Sequence, residues 1–356
     1  MADSPYIRWF PELSLADRPS VGGKSASLGE LTKAGVPVPP GFVVTTAAFE
    51  AFLAGIEPEA AIRAEIAGLD GSETARVAAV SECVRSRIRE SQVPAGIAAS
   101  ILDAYRALSK NGTGCPVAVR SSATCEDSSE ASFAGLQDTY LWTVGESQLL
   151  DRVRACWASL YNAESITYRR RLALPEERLA MAVVVQRMID ALCAGVMFTR
   201  SPTTGDRSVI VIEGSWGLGS AIVSGEVTPD RFVVNKVTGE IISRNVSEKR
   251  VEHVPEPTGG VREAAVTGAR RTAPCLDGDA VASLWRIARK VEQHYGSPQD
   301  IEWAVPRDSG SAREVCLLQS RPETVWAIRE KAPAAKPAAK PFDHVVALMS
   351  ARKKQS

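Results

Sequence analysis

Apolar residues recur at three- and four-residue intervals through much of the first third of the chain. AAFEAFLAG and AGIAASILDAYRAL show it most clearly, so Thr46 to about Leu108 reads as helical. Ser25–Lys33 has the same spacing, and Gly35 stands where a helix C-cap belongs. VPVPPGFVVTT breaks that period with prolines and a glycine before a β-branched run, which predicts a turn and then a strand. Cys115–Arg120 predicts a short strand. Gln148–Leu172 predicts one long helix, with Leu149, Val153, Cys156, Trp157 and Leu160 near one apolar face.

The period then changes. Strands are predicted at Ala182–Met188, Gly195–Arg200, Ser208–Gly214 and Arg231–Asn235, and the T-G turn of KVTGEII predicts a hairpin. A helix over Asp279–Tyr295 leads to strands at Asp300–Ala304 and Glu314–Gln319. After about Trp326, REKAPAAKPAAKP reads as an extended linker and Phe342–Met349 as one short amphipathic helix. Helices with a mostly antiparallel sheet make the predicted class α+β rather than alternating βαβ.

Composition narrows the reading. With 356 residues and 45% apolar content, the chain can bury a large core in two domains or two lobes. Lys plus Arg and Asp plus Glu both number 42, so no global field draws nucleic acid or an anionic membrane. Anion recognition must be local. Seven cysteines without a CxxC pair argue against a zinc knuckle or a disulfide framework. MADSPYIRWFPELS lacks the basic and apolar regions of a signal peptide, and no run of apolar residues is long enough to span a bilayer. A cytoplasmic setting is expected.

Four segments carry candidate chemistry. In Gly22-Gly23-Lys24-Ser25, Arg18 stands where a phosphate loop needs its first glycine, so this is not a Walker A motif. Glycines entering a helix and the charge of Lys24 still suit an anion, although a helix-entry turn with a solvated lysine has the same pattern. VAVRSSATCEDSSEASFAGLQDTYL (Val117–Leu141) sets Arg120 at the end of an apolar strand. Ser121, Ser122 and Thr124 would then offer hydroxyls and exposed amides to phosphate oxygens, and Gly135 would sit in a flap. The plain alternative is an Arg120 pair with Glu126 or Asp127.

GSWGLGSAIVSGEVTPD does not satisfy G-x-G-x-x-G, because Ile222 fills the third glycine position, so no Rossmann site is expected. DIEWA and LLQSRP each place polar groups on an apolar strand: Glu302, Gln319 and Arg321. Hard oxygen ligands of this kind suit Mg²⁺, and a Glu302–Arg321 salt bridge is the simpler use of the same residues. His253, His294 and His344 have no Cys or acid at ligand spacing and read as bland.

Together these segments resemble the N-terminal nucleotide-binding region of the phosphoenolpyruvate synthase and pyruvate phosphate dikinase family, to which rifampicin phosphotransferase also belongs. The resemblance rests on VGGKSASLGEL, GVPVPPGFVVTT, VAVRSSATCEDSSEASFAGLQDTYL, WASLYNAESITYRRR, VVVQRMIDALCAGVMFT, EGSWGLGSAIVSGEVTPDRFVV, DIEWA and LLQSRPETV, in family order over about residues 17–325. It implies an ATP-grasp fold whose two lobes close on Mg-ATP. Residues 1–190 would form the N-terminal lobe, 191–327 the C-terminal lobe, and 328–356 the linker and tail helix.

By that resemblance Lys24 and Arg120 contact the phosphates, and the loop with Gly135, Gln137 and Thr139 covers them. Gln186, Arg187 and Met188 line the adenine pocket. Glu302 and Gln319 hold Mg²⁺, and Arg321 stabilises charge on the transferred group. Phosphoryl transfer needs this kind of positioning and charge compensation more than covalent help. Ser220 departs from the usual family Glu after GLG, Leu136 from a frequent Gln and Cys125 from a frequent Ala.

The family's phosphorylated-histidine motif has no match here, which implies a separate subunit carrying that histidine and the acceptor site. The expected function is thus the ATP-binding subunit of a split dikinase that cleaves ATP to AMP and phosphate, in its most specific form phenylphosphate synthase. The other readings are a phosphoenolpyruvate synthase-type or antibiotic phosphotransferase nucleotide module, a self-contained small-molecule kinase, or a nucleotide-binding regulator.

Overall fold

The computed structural model describes residues 4–56, 61–109, 114–124, 138–172, 174–176, 179–308, 314–324 and 326. In chain order the first elements are β1 (Ile7–Trp9), α1 (Arg18–Lys33), β2 (Gly41–Val44), α2 (Thr46–Ile56), α3 (Ala61–Ala67), α4 (Thr74–Glu90) and α5 (Ala95–Leu108). Next come β3 (Val117–Ala123), β4 (Thr139–Thr143), α6 (Glu146–Ser159), α7 (Ala163–Arg171) and β5 (Met181–Arg187). These strands form a five-stranded antiparallel sheet in the order β1-β2-β5-β3-β4.

Side-chain alternation gives this sheet two cores. Phe42, Val117, Val119, Val183 and Val185 pack against α2–α7 on one face. Val43, Ala182 and Val184 meet Val21, Ala26 and Leu28 of α1 on the other. That second face also carries Ala118, Arg120 and Gln186, which share the strand parity of Val184 and Ala182. Polar residues at those positions therefore look into the interior beside α1.

The second half contributes β6 (Ala191–Phe198), β7 (Val209–Trp216), α8 (Ser220–Val223), β8 (Asp230–Asn235), β9 (Ile241–Asn245), β10 (Val251–Pro255), β11 (Val261–Ala265), α9 (Gly278–Tyr295), β12 (Gln299–Pro306) and β13 (Cys316–Pro322). A six-stranded antiparallel sheet runs β13-β12-β6-β7-β8-β9, and β10-β11 form a separate hairpin. Ile301, Trp303, Ile212 and Phe232 pack with Val281, Leu284, Ala288 and Val291 of α9. Trp303 is fully buried because its register neighbours are Gly195 and Gly214. A Cβ on either glycine would stand 2.8 Å from the indole, so no larger residue fits beneath it.

Helix α1 joins the two sheets, since Leu28 packs with Val43, Ala182 and Val184 under the first sheet and Leu31 packs in the core of the six-stranded sheet. A buried ion pair fixes the turn before β10. Lys249 Nζ lies 2.5 Å from Asp230 Oδ1, with both side chains inaccessible to solvent, and the Asp230 carboxylate also accepts from the Ser247 and Cys275 amides. No described helix is long and apolar enough to cross a membrane.

Two predicted elements need correction. The single helix over Gln148–Leu172 is two helices, broken between Leu160 and Asn162. The Leu160 carbonyl accepts from Arg169, and the Tyr161 carbonyl accepts from Ser81 Oγ at 2.7 Å. Asn162 then adopts an extended backbone as the N-cap of α7. The strand expected to stop at Arg120 continues to Ala123.

Met1–Pro322 is one compact unit and Glu323–Ser356 a second. In the second, the Trp326 amide donates to the Glu323 carboxylate at 2.8 Å. The predicted linker, the predicted Phe342–Met349 helix and His344 lie outside the described residues.

Candidate functional site

Arg120 projects from β3 toward the second sheet. Its Nη2 donates to Glu302 Oε2 at 2.9 Å and to Gln319 Oε1, and its Nη1 donates to the Leu318 carbonyl at 3.3 Å. Glu302 and Gln319 are opposite one another in the β12–β13 register, so two adjacent strands aim a carboxylate and an amide oxygen at one guanidinium. Arg120 Nε is buried with no hydrogen-bond partner among the described residues.

This arrangement replaces the Glu302–Arg321 pairing expected from the sequence. Glu302 bonds Arg120, whereas Arg321 pairs with Asp300, its Nε 3.5 Å from Oδ2. Glu126 and Asp127 lie outside the described residues.

The Gly-Gly-Lys-Ser segment lies against the same strand. Helix α1 is interrupted at Gly22, whose φ is +75°. A Cβ there would stand 2.2 Å from the Ser122 carbonyl oxygen, so only glycine permits the close approach. Ser122 Oγ donates to the Val21 carbonyl at 3.1 Å, and Lys24 Nζ donates to the Ser121 carbonyl at 3.1 Å.

The expected hydroxyl cradle is therefore absent from β3. Ser121 and Ser122 are fully buried, and their hydroxyls, with that of Thr124, donate to the carbonyls of Asp138, Val21 and Ala180. The strand runs on beneath α1, and its polar groups hold the two together.

Between the sheets lies a cavity of about 360 Å³. Arg120 and Glu302 stand at one end, and Gln186–Ile189, the connection between the sheets, at the other. Its walls are largely apolar, including Leu141, Ala194, Leu218, Trp303 and Leu318, with Thr139 and Ser220 among the few polar groups. A slot of this size, apolar with a few directed polar groups, suits a flat aromatic ligand with a charged end.

At the connection, Gln186 Nε2 donates to the Pro39 carbonyl at 3.3 Å. The Arg187 and Met188 amides donate to the Pro40 and Pro116 carbonyls, both at 2.9 Å. These two amides are thus engaged within the chain.

Of the residues singled out from the sequence, Arg120, Thr139, Gln186, Arg187, Met188 and Glu302 line this cavity, and Gln319 joins it through Arg120. Lys24 and Arg321 do not line it. Lys24 lies behind Arg120 on β3, and Arg321 is two residues beyond Gln319 on β13. Gly135 and Gln137 lie outside the described residues.

Among the described residues, no cluster of three or more His, Cys, Asp or Glu side chains could hold a metal alone. Glu302 and Gln319 supply two convergent hard oxygens, a donor set that fits an ion completing its shell with substrate oxygens and water.

The sequence reading named Ser220 and His253 separately and missed their contact. Ser220 Oγ is 2.7 Å from His253 Nδ1, and His253 Nε2 is 2.9 Å from Glu226 Oε2. Ser220, Thr139 and Leu141 also border a second cavity of about 340 Å³, which His253 and the β10–β11 hairpin line. The P-T-G-G turn between VEHVP and VREAA was the available signal for that hairpin.

Comparison with known proteins gives this geometry a family. The model of the pyruvate phosphate dikinase AMP/ATP-binding domain matches residues 18–341. A "probable phosphoenolpyruvate synthase" of Methanothermobacter thermautotrophicus is 43% identical over 321 residues, covering 90% of this chain and 46% of that protein. The phosphoenolpyruvate synthase of Aeropyrum pernix is 41% identical over 362 residues, covering 93% of this chain and 44% of that protein. A rifampicin phosphotransferase of Streptomyces sp is 38% identical over 314 residues, covering 88% and 35%. This chain thus spans less than half the length of these relatives. It belongs to the pyruvate phosphate dikinase AMP/ATP-binding domain family, an ATP-grasp-type nucleotide domain.

Proposed function

We propose that the chain binds Mg-ATP in the cavity between its sheets and activates it for phosphoryl transfer to a histidine outside that cavity. The observation carrying this reading is the convergence of Arg120, Glu302 and Gln319 at one end of an apolar slot. The base lies along Gln186–Ile189 and the triphosphate extends toward Arg120. Arg120 offers a planar fork that phosphate accepts in bidentate fashion. Exchanging Glu302 for phosphate frees the Glu302 carboxylate. Glu302 and Gln319 would hold Mg²⁺, which supplies charge neutralisation across the phosphate oxygens. Lys24 and Arg321 add positive charge on either side, and closure of the sheets excludes water.

Among the described residues no histidine lines this cavity, which favours an acceptor elsewhere. The reading is therefore of dikinase type. A histidine nitrogen on another domain or subunit takes the pyrophosphoryl group as the α–β anhydride breaks and AMP leaves. Water then cleaves the β–γ bond, releasing phosphate and leaving a phosphohistidine that carries the phosphoryl group. Its final acceptor belongs to the partner's chemistry. Phenol is the most specific choice, in a phenylphosphate synthase arrangement, and pyruvate is the acceptor the synthase relatives suggest.

The test combines the chain with a family histidine domain and Mg-ATP, then follows AMP, phosphate and exchange of labelled AMP into ATP. Exchange that Glu302→Ala or Arg321→Ala abolishes, without loss of fold, supports the proposal. ADP and a phosphorylated small molecule made by the chain alone would overturn it in favour of a self-contained kinase.

A further inference from the structure

The second cavity, of about 340 Å³, plays no part in the transfer proposed above. One wall is β4, an edge strand of the first sheet, with α6 beside it; the other is β11 of the hairpin. The walls are joined at the hairpin turn. There the Gly260 amide donates to the Trp142 carbonyl and Gln148 Nε2 to the Thr258 carbonyl, both at 2.9 Å. Trp142 has a left-handed backbone, φ +54°, beside the shift in the β3–β4 register. A bulky residue in that conformation needs support from its surroundings, and the Gly260 contact supplies part of it.

These walls carry opposite charges. Arg152, one turn after Gln148 on α6, has its Cζ 4.7 Å from the centre of the Tyr140 ring, and the Tyr140 hydroxyl donates to Asp138 at 2.8 Å. Stacking covers one face of the guanidinium and leaves its in-plane N–H groups for a ligand. Glu263 is the register partner of His253 and shares the cavity-lining face of the hairpin with it and Val261. Among the described residues, neither Arg152 nor Glu263 makes a hydrogen bond or an ion pair. The remaining charged side chains at the cavity are engaged: Arg262 pairs with Glu256 at 3.0 Å, and His253 contacts Ser220 and Glu226.

Thr143 adds a third group. It is 2% exposed and borders the same cavity, and its hydroxyl is buried with no hydrogen-bond partner among the described residues. A polar ligand atom would remove the cost of that unmade bond. A simple anion would suit Arg152 but be repelled by Glu263, and a simple cation meets the reverse. A molecule carrying both charges satisfies the two walls together, with Leu141 and Val261 as apolar surface between them.

We infer that the second cavity binds a small zwitterion of amino-acid size, with its carboxylate on Arg152 and its ammonium on Glu263. The site stands apart from the nucleotide reading, although Thr139, Leu141 and Ser220 border both cavities.

Ligand-observed NMR titration of the full, nucleotide-free chain tests it. Glycine, β-alanine and 4-aminobutyrate vary the spacing of the two charges, and each is compared with the carboxylate and the amine of the same chain length. At least one zwitterion should bind at about millimolar Kd, and about fivefold tighter than either of its single-charge analogues. Glu263→Gln should weaken that zwitterion about fivefold and tighten the carboxylate, whereas Arg152→Gln should weaken the zwitterion and tighten the amine. Both variants should melt like the wild type, because both side chains are exposed. Damage to the fold would instead weaken all three ligands together. A carboxylate that binds as tightly as its zwitterion would reduce the site to an anion contact and overturn the inference. So would the absence of zwitterion binding below about 10 mM, or a fall in affinity for all three ligands in Glu263→Gln.

Discussion

Arg120 Nη2 and Glu302 Oε2 meet at 2.9 Å across the space between two separate sheets, 182 positions apart in the chain. Arg120 is nearly buried and Glu302 about one-third exposed, so the pair is only partly screened by water. Removing the carboxylate leaves a buried cation with Gln319 and a carbonyl as its remaining acceptors. Glu302→Ala should therefore cost about 1–2 kcal/mol of stability, less than a fully buried pair because of the solvent access. Denaturant unfolding of the ligand-free chain measures it, and a loss near zero would mean that the pair contributes nothing to joining the sheets.

Gly22 gives a sharper stability test. A Cβ would meet backbone atoms of Ser122 at 2.2–2.6 Å, on a residue already at φ +75°. Gly22→Ala should cost about 2–4 kcal/mol. Gly96, at the start of α5 with nothing within 4 Å, provides the contrast. Gly96→Ala should be neutral or stabilising by up to about 0.5 kcal/mol. Equal responses at the two positions would contradict the packing of α1 on β3.

Legibility in the sequence followed the range of the interactions. The β-branched runs in the second half and the amphipathic spacing of α9 announce their elements because each is locally consistent. The break between α6 and α7 is invisible in that way, since Ser81, 80 residues away, accounts for part of it. Arg120, Glu302 and Gln319 were recognisable as functional groups, but their mutual contact depends on two sheets meeting face to face. Ser121 and Ser122 looked like loop hydroxyls because nothing local shows that α1 covers the strand. His253 read as bland because its partners come from a different segment, around α8.

The Lys249–Asp230 pair is buried on both sides, and Asp230 also caps two backbone amides. Asp230→Ala would strand a buried ammonium and those donors together. A loss of about 3–5 kcal/mol is expected, measured by chemical denaturation. Because this turn leads into β10, faster amide exchange in the β10–β11 hairpin should accompany it.

Burial pushes the Tyr161 phenol up to about 12, with charged neighbours as lesser influences. The unfolded phenol titrates near 10. The folded state thus favours the neutral form, and its contribution is fully present below pH 10 and lost as pH rises toward 12. Tyr161→Phe should flatten the fall in stability between pH 10 and 12 by about 2–3 kcal/mol relative to wild type. Parallel stability curves for the two proteins over that window would contradict it.

The central claim is that Arg120 marks the phosphate end of a nucleotide cavity. Titration calorimetry of the full chain with Mg-ATP and with adenosine, in wild type and Arg120→Ala, tests it most directly. Loss of a bidentate phosphate contact should weaken ATP binding at least about thirtyfold, while adenosine affinity changes less than about threefold. Unchanged ATP affinity, or an equal loss for ATP and adenosine, would contradict the account.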